Sequence, residues 1–372
     1  MPTIARQLLE KKWVGPEREV RVKKTITKIA SAASRTMREY YYSIVPDRES
    51  INKIERFPGE LSIEPINICN ANCIFCGYQY QKRRKQRMTD AILRKSISDY
   101  VDMGGGNLYW TVVVGDPLLD SECVERIEYV RSFPCVKKIE TFTNCINLHR
   151  IGAKRLLTSG LSKITVSTTG FDANMYQRIF RNGYYAQMKN NLMDLLRTNE
   201  RLDKPVRIAV ELRLDGPVEN MSESAEFREV IELADSVDTN YYYDNWSGRI
   251  GPKDLTGNMR LRPHWAVFMK KRIPCARLWM GIGVLVDGKV TACSCRDLDG
   301  DSDLILGNIN TMSLREAYSS QYLCKLRYNW FEGRGVPNIC LDCTFYVPYT
   351  YMMLSEVKKD HFRDIHREVY VL

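Results

Sequence analysis

Short apolar runs alternate with amphipathic stretches through the middle of this chain, and that rhythm sets its framework. Leu61–Ile68, Leu108–Val114, Lys138–Thr143, Lys163–Thr168, Val206–Leu214 and Val237–Tyr243 carry the aliphatic and β-branched density of buried strands. Between them, stretches such as Thr89–Met103 and Asn174–Thr198 place apolar residues at helical spacing. Six alternations predict a parallel α/β unit, whose functional residues gather at the carboxyl ends of the strands. Ahead of it, Val22, Ile26, Ile29, Ala33, Met37, Tyr41 and Ile44 predict a helix within a basic lead-in. Beyond Trp246 the rhythm breaks and cysteine, glycine and aspartate become dense, so a second, smaller unit is expected to begin within 247–275.

Composition bounds the class. The 372 residues are 44% hydrophobic, enough for one large domain or two ordinary ones. No apolar run approaches the roughly 18 residues of a membrane span, and Met1–Trp13 has no apolar core of a secretory signal, so a cytoplasmic setting is expected. Lys and Arg number 55 against 45 Asp and Glu, a net charge of +10. Five of those charges crowd into Lys82-Arg83-Arg84-Lys85-Gln86-Arg87, which reads as a solvated loop or as a contact for an anionic substrate. RNA is a third reading of that run, but no appended nucleic-acid motif accompanies it, so a nucleic-acid partner is not expected. Cysteine is the unusual count: twelve, against four histidines. A reducing compartment argues against a disulfide framework, and the scarcity of histidine leaves thiolate sites, zinc or iron–sulfur.

Two cysteine constellations stand out. Cys69-Asn-Ala-Asn-Cys73-Ile-Phe-Cys76 directly follows the first strand, and its spacing lets one short loop wrap three thiolates around a single centre. Three ligands leave a coordination position open, as a reactive site requires; a zinc loop with a distant fourth ligand is the alternative. Further on, Val286-Asp287-Gly288-Lys289-Val290 reads as a hairpin with an Asp-Gly turn between Cys275 and Cys293, and Cys340-Leu-Asp-Cys343 adds two more thiols. Four thiolates suit a closed site, which spacing alone leaves open to structural zinc.

Cys69, Cys73, Phe75 and Cys76 resemble the motif of the radical S-adenosylmethionine (AdoMet) superfamily, and the similarity continues strand by strand over 61–246. That resemblance implies a partial (β/α)6 TIM barrel in which the three cysteines bind a [4Fe–4S] cluster. The open iron would chelate AdoMet, whose reductive cleavage gives a 5′-deoxyadenosyl radical that abstracts hydrogen from substrate. Val114-Gly115-Asp116-Pro117 is similar to the family's Gly-Gly-Glu-Pro segment, with Val for the first Gly and Asp for Glu, which implies a contact with the methionyl amino group. By the same resemblance Ser167, Thr168 and Thr169 end the strand that meets the AdoMet ribose or carboxylate, and Arg213 is a carboxylate partner. Cys275 with Trp279, Asp287-Gly288 before Cys293, Gly307-Asn308, Ser313-Leu314 and Cys340-x-x-Cys343 resemble a twitch domain, the shortened relative of the SPASM domain. They imply an auxiliary [4Fe–4S] cluster on Cys275, Cys293, Cys340 and Cys343. Asn245-Trp246-Ser247-Gly248 likewise resembles the stretch that closes the barrel in such proteins. The expected division is a basic helical extension over 1–60, the core over 61–246, the auxiliary domain over 247–345 and a helical tail over 346–372.

Five cysteines remain. Cys123, Cys135 and Cys324 are expected to be small buried residues. Cys295, two residues past a ligand position, and Cys145, at the end of the third strand, are the candidate catalytic thiols that would return hydrogen to a substrate radical; Cys295 could instead replace Cys293 as ligand. The expected activity is abstraction of hydrogen from a carbinol C–H of a sugar or aminocyclitol-type small molecule, with epimerisation by thiol return ahead of dehydrogenation through the auxiliary cluster. Radical modification of a ribosomally made peptide is a further alternative. The implied partners are a small-molecule substrate, anionic or glycosylated, and a one-electron donor such as flavodoxin or ferredoxin.

Overall fold

The computed structural model describes residues 58–111, 113–217, 221, 224–262, 274–293 and 296–347. The lead-in helix expected over 22–44, Cys295 and all but the first two residues of the expected tail lie outside them. The six expected strands are present as β1 (Glu60–Ile63), β2 (Gly106–Trp110), β3 (Val136–Thr143), β4 (Lys163–Thr168), β5 (Arg207–Arg213) and β6 (Ser236–Asn240), each parallel to the next. The intervening helices are α1 (Asp90–Asp102), α2 (Cys123–Arg131), α3 (Leu148–Ile151), α4 (Ala153–Leu157), α5 (Ala173–Phe180), α6 (Tyr185–Arg201) and α7 (Ala225–Leu233). The architecture is α/β, a partial TIM barrel of six strand–helix units.

Local chemistry explains the boundaries. β1 stops at Ile63, short of the predicted Ile68, because Pro65 cannot donate to a ladder and the chain swings into the first cysteine loop. The stretch predicted as one helix over 174–198 is two, α5 and α6, because Arg181 adopts the left-handed conformation (φ 52°) and Asn182-Gly183 continues the turn. Thr89 caps α1 by accepting from the Ile92 amide at 3.4 Å, and Asp172 caps α5 through Met175 at 2.6 Å.

After the barrel strands, β7 (Tyr242–Tyr243) pairs with β8 (Arg260–Leu261) in a small separate sheet. Then follow α8 (Arg277–Met280), β9 (Gly281–Val284), β10 (Lys289–Thr291), β11 (Ile305–Asn308), α9 (Leu314–Tyr318) and α10 (Gln321–Phe331). The predicted Asp287-Gly288 turn joins β9 to β10, with Gly288 at φ 85°. β9 lies parallel against β1, so the main sheet of the described residues runs β11-β10-β9-β1-β2-β3-β4-β5-β6. The hairpin that follows Cys275 is thus built onto the edge of the barrel sheet. A continuous core runs through both parts and includes the fully buried Trp110, Trp279 and Trp330. Cys123 is buried as expected and Cys135 half-buried, but Cys324 is exposed, because its position on α10 falls on the solvent face. Among the described residues no helix is long and apolar enough to cross a membrane.

Candidate active site

The loop after β1 carries Cys69, Cys73 and Cys76. Asn67 fixes its start, accepting from the Gln86 amide at 2.7 Å and donating to the Arg84 carbonyl at 2.9 Å. Its far side is pinned to the end of α5, where the amides of Asn72 and Ile74 donate to Phe180 and Ile179 at 3.2 and 2.9 Å. The Cys76 amide closes back on the Cys73 carbonyl at 3.1 Å. Burial pushes all three thiols above their ordinary range; Asp116 and Cys76 add to this at Cys69, and Cys76 and Cys69 add to it at Cys73. Three thiols enclosed on one short loop fit an iron–sulfur ligand set, whose binding displaces their protons.

Gly115, in the segment that follows β2, lies against this loop. Its φ is 113°, and a Cβ there would drive into the Ile66 carbonyl, so only glycine lets the two backbones meet. The Asp116 amide then donates to the Ile68 carbonyl at 2.9 Å. The Asp116 carboxylate faces inward: Leu118 donates to Oδ1 at 3.0 Å, Asn144 to Oδ2 at 2.7 Å, and the Thr143 hydroxyl lies 3.0 Å from both oxygens. Burial raises this carboxyl to about 6 despite those bonds. Pro117 opens a short 3-10 turn over Pro117–Leu119.

Strand parity separates the other expected AdoMet residues. Ser167 accepts from Arg213 Nε at 3.1 Å, and Arg213 pairs with Glu211 while its guanidinium lies over the Phe75 and Tyr243 rings, 5.2 and 5.9 Å from their centroids. Thr168, one residue on, turns its hydroxyl to Met188 Sδ of α6 at 3.1 Å, and Thr169 turns to the Gly170 carbonyl at 2.8 Å. Glu211 went unremarked in the sequence, although its i, i+2 relation to Arg213 on one strand was a usable signal. Cys145 is fully buried with φ 63°; its amide donates to the Thr143 hydroxyl at 2.9 Å and its carbonyl accepts from Asn191 of α6 at 2.9 Å. Burial, then Asp116 and Asp194, push its thiol up.

The second constellation is tied to the first. Cys275 is buried, Cys293 and Cys340 are half-buried against the same core, and the Val347 amide donates to Cys275 Sγ at 3.5 Å. Beside Cys343, the Thr344 hydroxyl donates to Asp244 at 2.6 Å and the Asn245 amide group donates to the Asp342 carbonyl at 2.6 Å. The next residue, Trp246, donates from its indole to the Phe75 carbonyl at 2.9 Å, and its ring fills the space that a Cβ on Gly77 would need. Asp244–Trp246 therefore links the residues flanking Cys343 to the Phe75 carbonyl next to Cys76. Arg262, Arg277 and Arg296 converge on the Phe345 ring, 5.5, 4.3 and 4.2 Å from its centroid, and Arg296 also stacks on Trp246 and pairs with Asp244. Burial would raise the Asp244 carboxyl, yet Arg296, the Thr344 hydroxyl and further partners outweigh it and hold it low. Gathered guanidinium charge beside cysteines suits a net anionic tetrathiolate cluster. Among the described residues, no three His, Cys, Asp or Glu side chains are gathered so as to hold a single metal ion.

The basic run does structural duty at two of its positions. Arg83 is buried and grips the fully buried Glu64 with two bonds of 2.6 and 2.7 Å, while Glu64 also accepts from the Val286 amide of the auxiliary hairpin at 3.0 Å. Arg87 pairs with Asp120 at 3.1 Å and Glu122 at 3.0 Å. Lys82, Arg84, Lys85 and Arg87 are exposed, as a solvated loop requires, while the Arg83 side chain is held inside the fold by Glu64.

Comparison with known proteins matches residues 63–200 to the radical SAM superfamily and residues 275–344 to the SPASM iron–sulfur cluster-binding domain. The GTP 3′,8-cyclase of Psychromonas ingrahamii is 25% identical over 135 residues, 36% of this chain and 39% of that protein. The probable GTP 3′,8-cyclase of Methanococcus maripaludis is 26% identical over 133 residues, 36% of this chain and 43% of that protein. The match thus spans about two-fifths of those relatives' length. Among solved structures, BtrN in complex with AdoMet and 2-DOIA shares the fold with TM-score 0.51 and 15% identity, covering 77% of this chain and 93% of that one. Streptococcus suis SuiB bound to precursor peptide SuiA gives 0.54 and 12%, covering 90% and 87%. AdoMet and a [4Fe–4S] cluster are the cofactors of the radical SAM domain, and the SPASM domain adds further iron–sulfur. These matches support a radical SAM enzyme whose SPASM-type domain follows the partial barrel.

Proposed function

We propose that the protein abstracts hydrogen from a carbinol C–H of a sugar or aminocyclitol-type small molecule. The observation that carries this reading is the polar lining of β4–β6 at the ends nearest the cysteine loop. Ser167, Glu211 and Asp238 stand in register across the three strands, with Arg213 and Asn240 one step further on the same face. Alternating donors and acceptors on one rigid sheet face can orient a polyhydroxylated ring so that a single C–H is presented. Cys69, Cys73 and Cys76 would hold the first cluster, and Cys275, Cys293, Cys340 and Cys343 the auxiliary one. Gly115 and Pro117 would shape the AdoMet cleft beside Ser167 and Arg213, with Asp116 contributing through its backbone because its carboxylate is engaged inside the protein. Once bound, the cluster and AdoMet supply a 5′-deoxyadenosyl radical on delivery of one electron by a flavodoxin- or ferredoxin-type donor.

Epimerisation with hydrogen return from Cys295 or Cys145 is the leading outcome. Dehydrogenation is the second, favoured by the hydrogen-bonded link from Thr344, beside Cys343, through Asp244–Trp246 to the first cysteine loop. Anaerobic turnover of an aminocyclitol and sugar panel in deuterated water separates them. A product isomeric with substrate and carrying one solvent deuterium means epimerisation; a product about two mass units lighter means dehydrogenation. Modification of a peptide with no turnover of any carbinol would overturn the substrate class.

A further inference from the structure

We propose that Asn144 tunes the first cysteine loop, donating its side-chain N–H to the Cys69 sulfur and so raising the reduction potential of the cluster held there, with Asp116 acting through it. This inference rests on the reading that Cys69, Cys73 and Cys76 hold that cluster. Asn144 Nδ2 lies 3.7 Å from Cys69 Sγ and 2.7 Å from Asn70 Oδ1, so its two N–H groups have separate acceptors on adjacent residues of the loop. The rest of the residue is fixed: Oδ1 accepts from the Ile146 amide at 3.0 Å, and its own amide donates to Asp116 at 2.7 Å. The residue is buried, which keeps water from replacing the donor.

Asp116 thereby acquires a task. Its carboxylate collects Thr143 and Asn144 at the end of β3, while its backbone holds Ile68. It joins the segment after β2, the end of β3 and the approach to Cys69 in one network. Cys76 receives a comparable contact from the Tyr78 backbone amide at 3.5 Å, which side-chain substitution cannot remove. Asn144 is the donor that can be deleted. An N–H directed at a ligating sulfur withdraws electron density and favours the reduced, more negative cluster.

The test uses the full-length, cluster-loaded protein under anaerobic conditions. Potentiometric titration is followed by EPR, and the signal that changes on adding AdoMet marks the first site. N144L should move the reduction equilibrium about tenfold toward the oxidised form, 59 mV for a one-electron couple. N144Q, which keeps an amide donor, should recover most of that shift, and D116N should move it in the same direction as N144L. A fully loaded N144L protein with a potential within about twofold of wild type in the reduction equilibrium overturns the role. If N144L takes up no cluster, wild-type protein carrying 15N only at the asparagine side-chain amides decides: a nitrogen hyperfine coupling to the first cluster supports the role, and its absence overturns it. Wild-type protein with no AdoMet-responsive cluster overturns the underlying reading as well, so the two failures are told apart.

Discussion

The Glu64–Arg83 pair should be a strong electrostatic dependency of the fold, and its strength can be worked from its contacts. Glu64 is fully buried and Arg83 nearly so; they share two short bonds, and Glu64 also satisfies the Val286 amide. Glu64→Leu leaves a buried guanidinium without its carboxylate, a loss of about 3–5 kcal/mol, and orphans the Val286 N–H for about 1–3 kcal/mol more. Arg83→Met strands the carboxylate instead, for about 3–5 kcal/mol, and orphans the Leu298 carbonyl for about 1–3 kcal/mol more. The double variant Glu64→Leu/Arg83→Met buries no charge and should lose only the hydrogen bonds to the Val286 amide and the Leu298 carbonyl, about 1–3 kcal/mol each. Urea unfolding of the four proteins closes the cycle and should return a coupling of about 6–10 kcal/mol, the two stranded-charge losses that the double variant avoids. Additive losses, or a Glu64→Leu variant within about 1 kcal/mol of wild type, would refute the assignment of a desolvated pair joining barrel to hairpin.

Other outcomes follow from the same geometry. Gly77→Ala places a Cβ 2.6 Å from the Trp246 ring and should lower stability by about 1–3 kcal/mol in chemical denaturation, with a weakened Trp246–Phe75 bond visible as altered indole fluorescence. Replacing Cys69, Cys73 and Cys76 together by Ala should abolish 5′-deoxyadenosine formation and cut iron from about eight to about four atoms per chain; retained cleavage would contradict the ligand set. Native labelling with a maleimide should modify the exposed Cys324 while Cys123 and Cys145 stay unmodified, which peptide mass spectrometry reads directly. Arg213→Lys keeps the charge but loses the fork that serves Ser167 and Glu211, and should reduce turnover at least about tenfold with little change in iron content.

The strands were legible because parallel strands buried on both faces are written as dense aliphatic runs, and all six emerged in place. The break at Arg181 was written in Asn182-Gly183 but masked by apolar periodicity on either side. The cysteine loops were legible as spacing. What joins them was not: Glu64 and Arg83 are 19 residues apart, and nothing local announces that an acid and a base will be sealed together. Thr168 and Ser167 differ by one step along β4, so telling the residue facing Arg213 from the one facing Met188 needs the register of the sheet. Asn144 sat beside the more conspicuous Cys145, and its importance depends on a sulfur 75 positions earlier.

The pairing of β9 with β1 has a consequence for how the chain is made. Residues 60–63 leave the ribosome early, yet their neighbour on one side, residues 281–284, follows more than two hundred residues later. Until then one edge of the growing sheet presents unpaired amides and carbonyls, the state that invites pairing with other chains. Synthesis therefore passes through a long interval in which the nascent barrel has an open seam beside its own cysteine loop. Nascent chains arrested before residue 281 should depend on a chaperone to stay unaggregated, and that dependence should fall away once the hairpin has emerged.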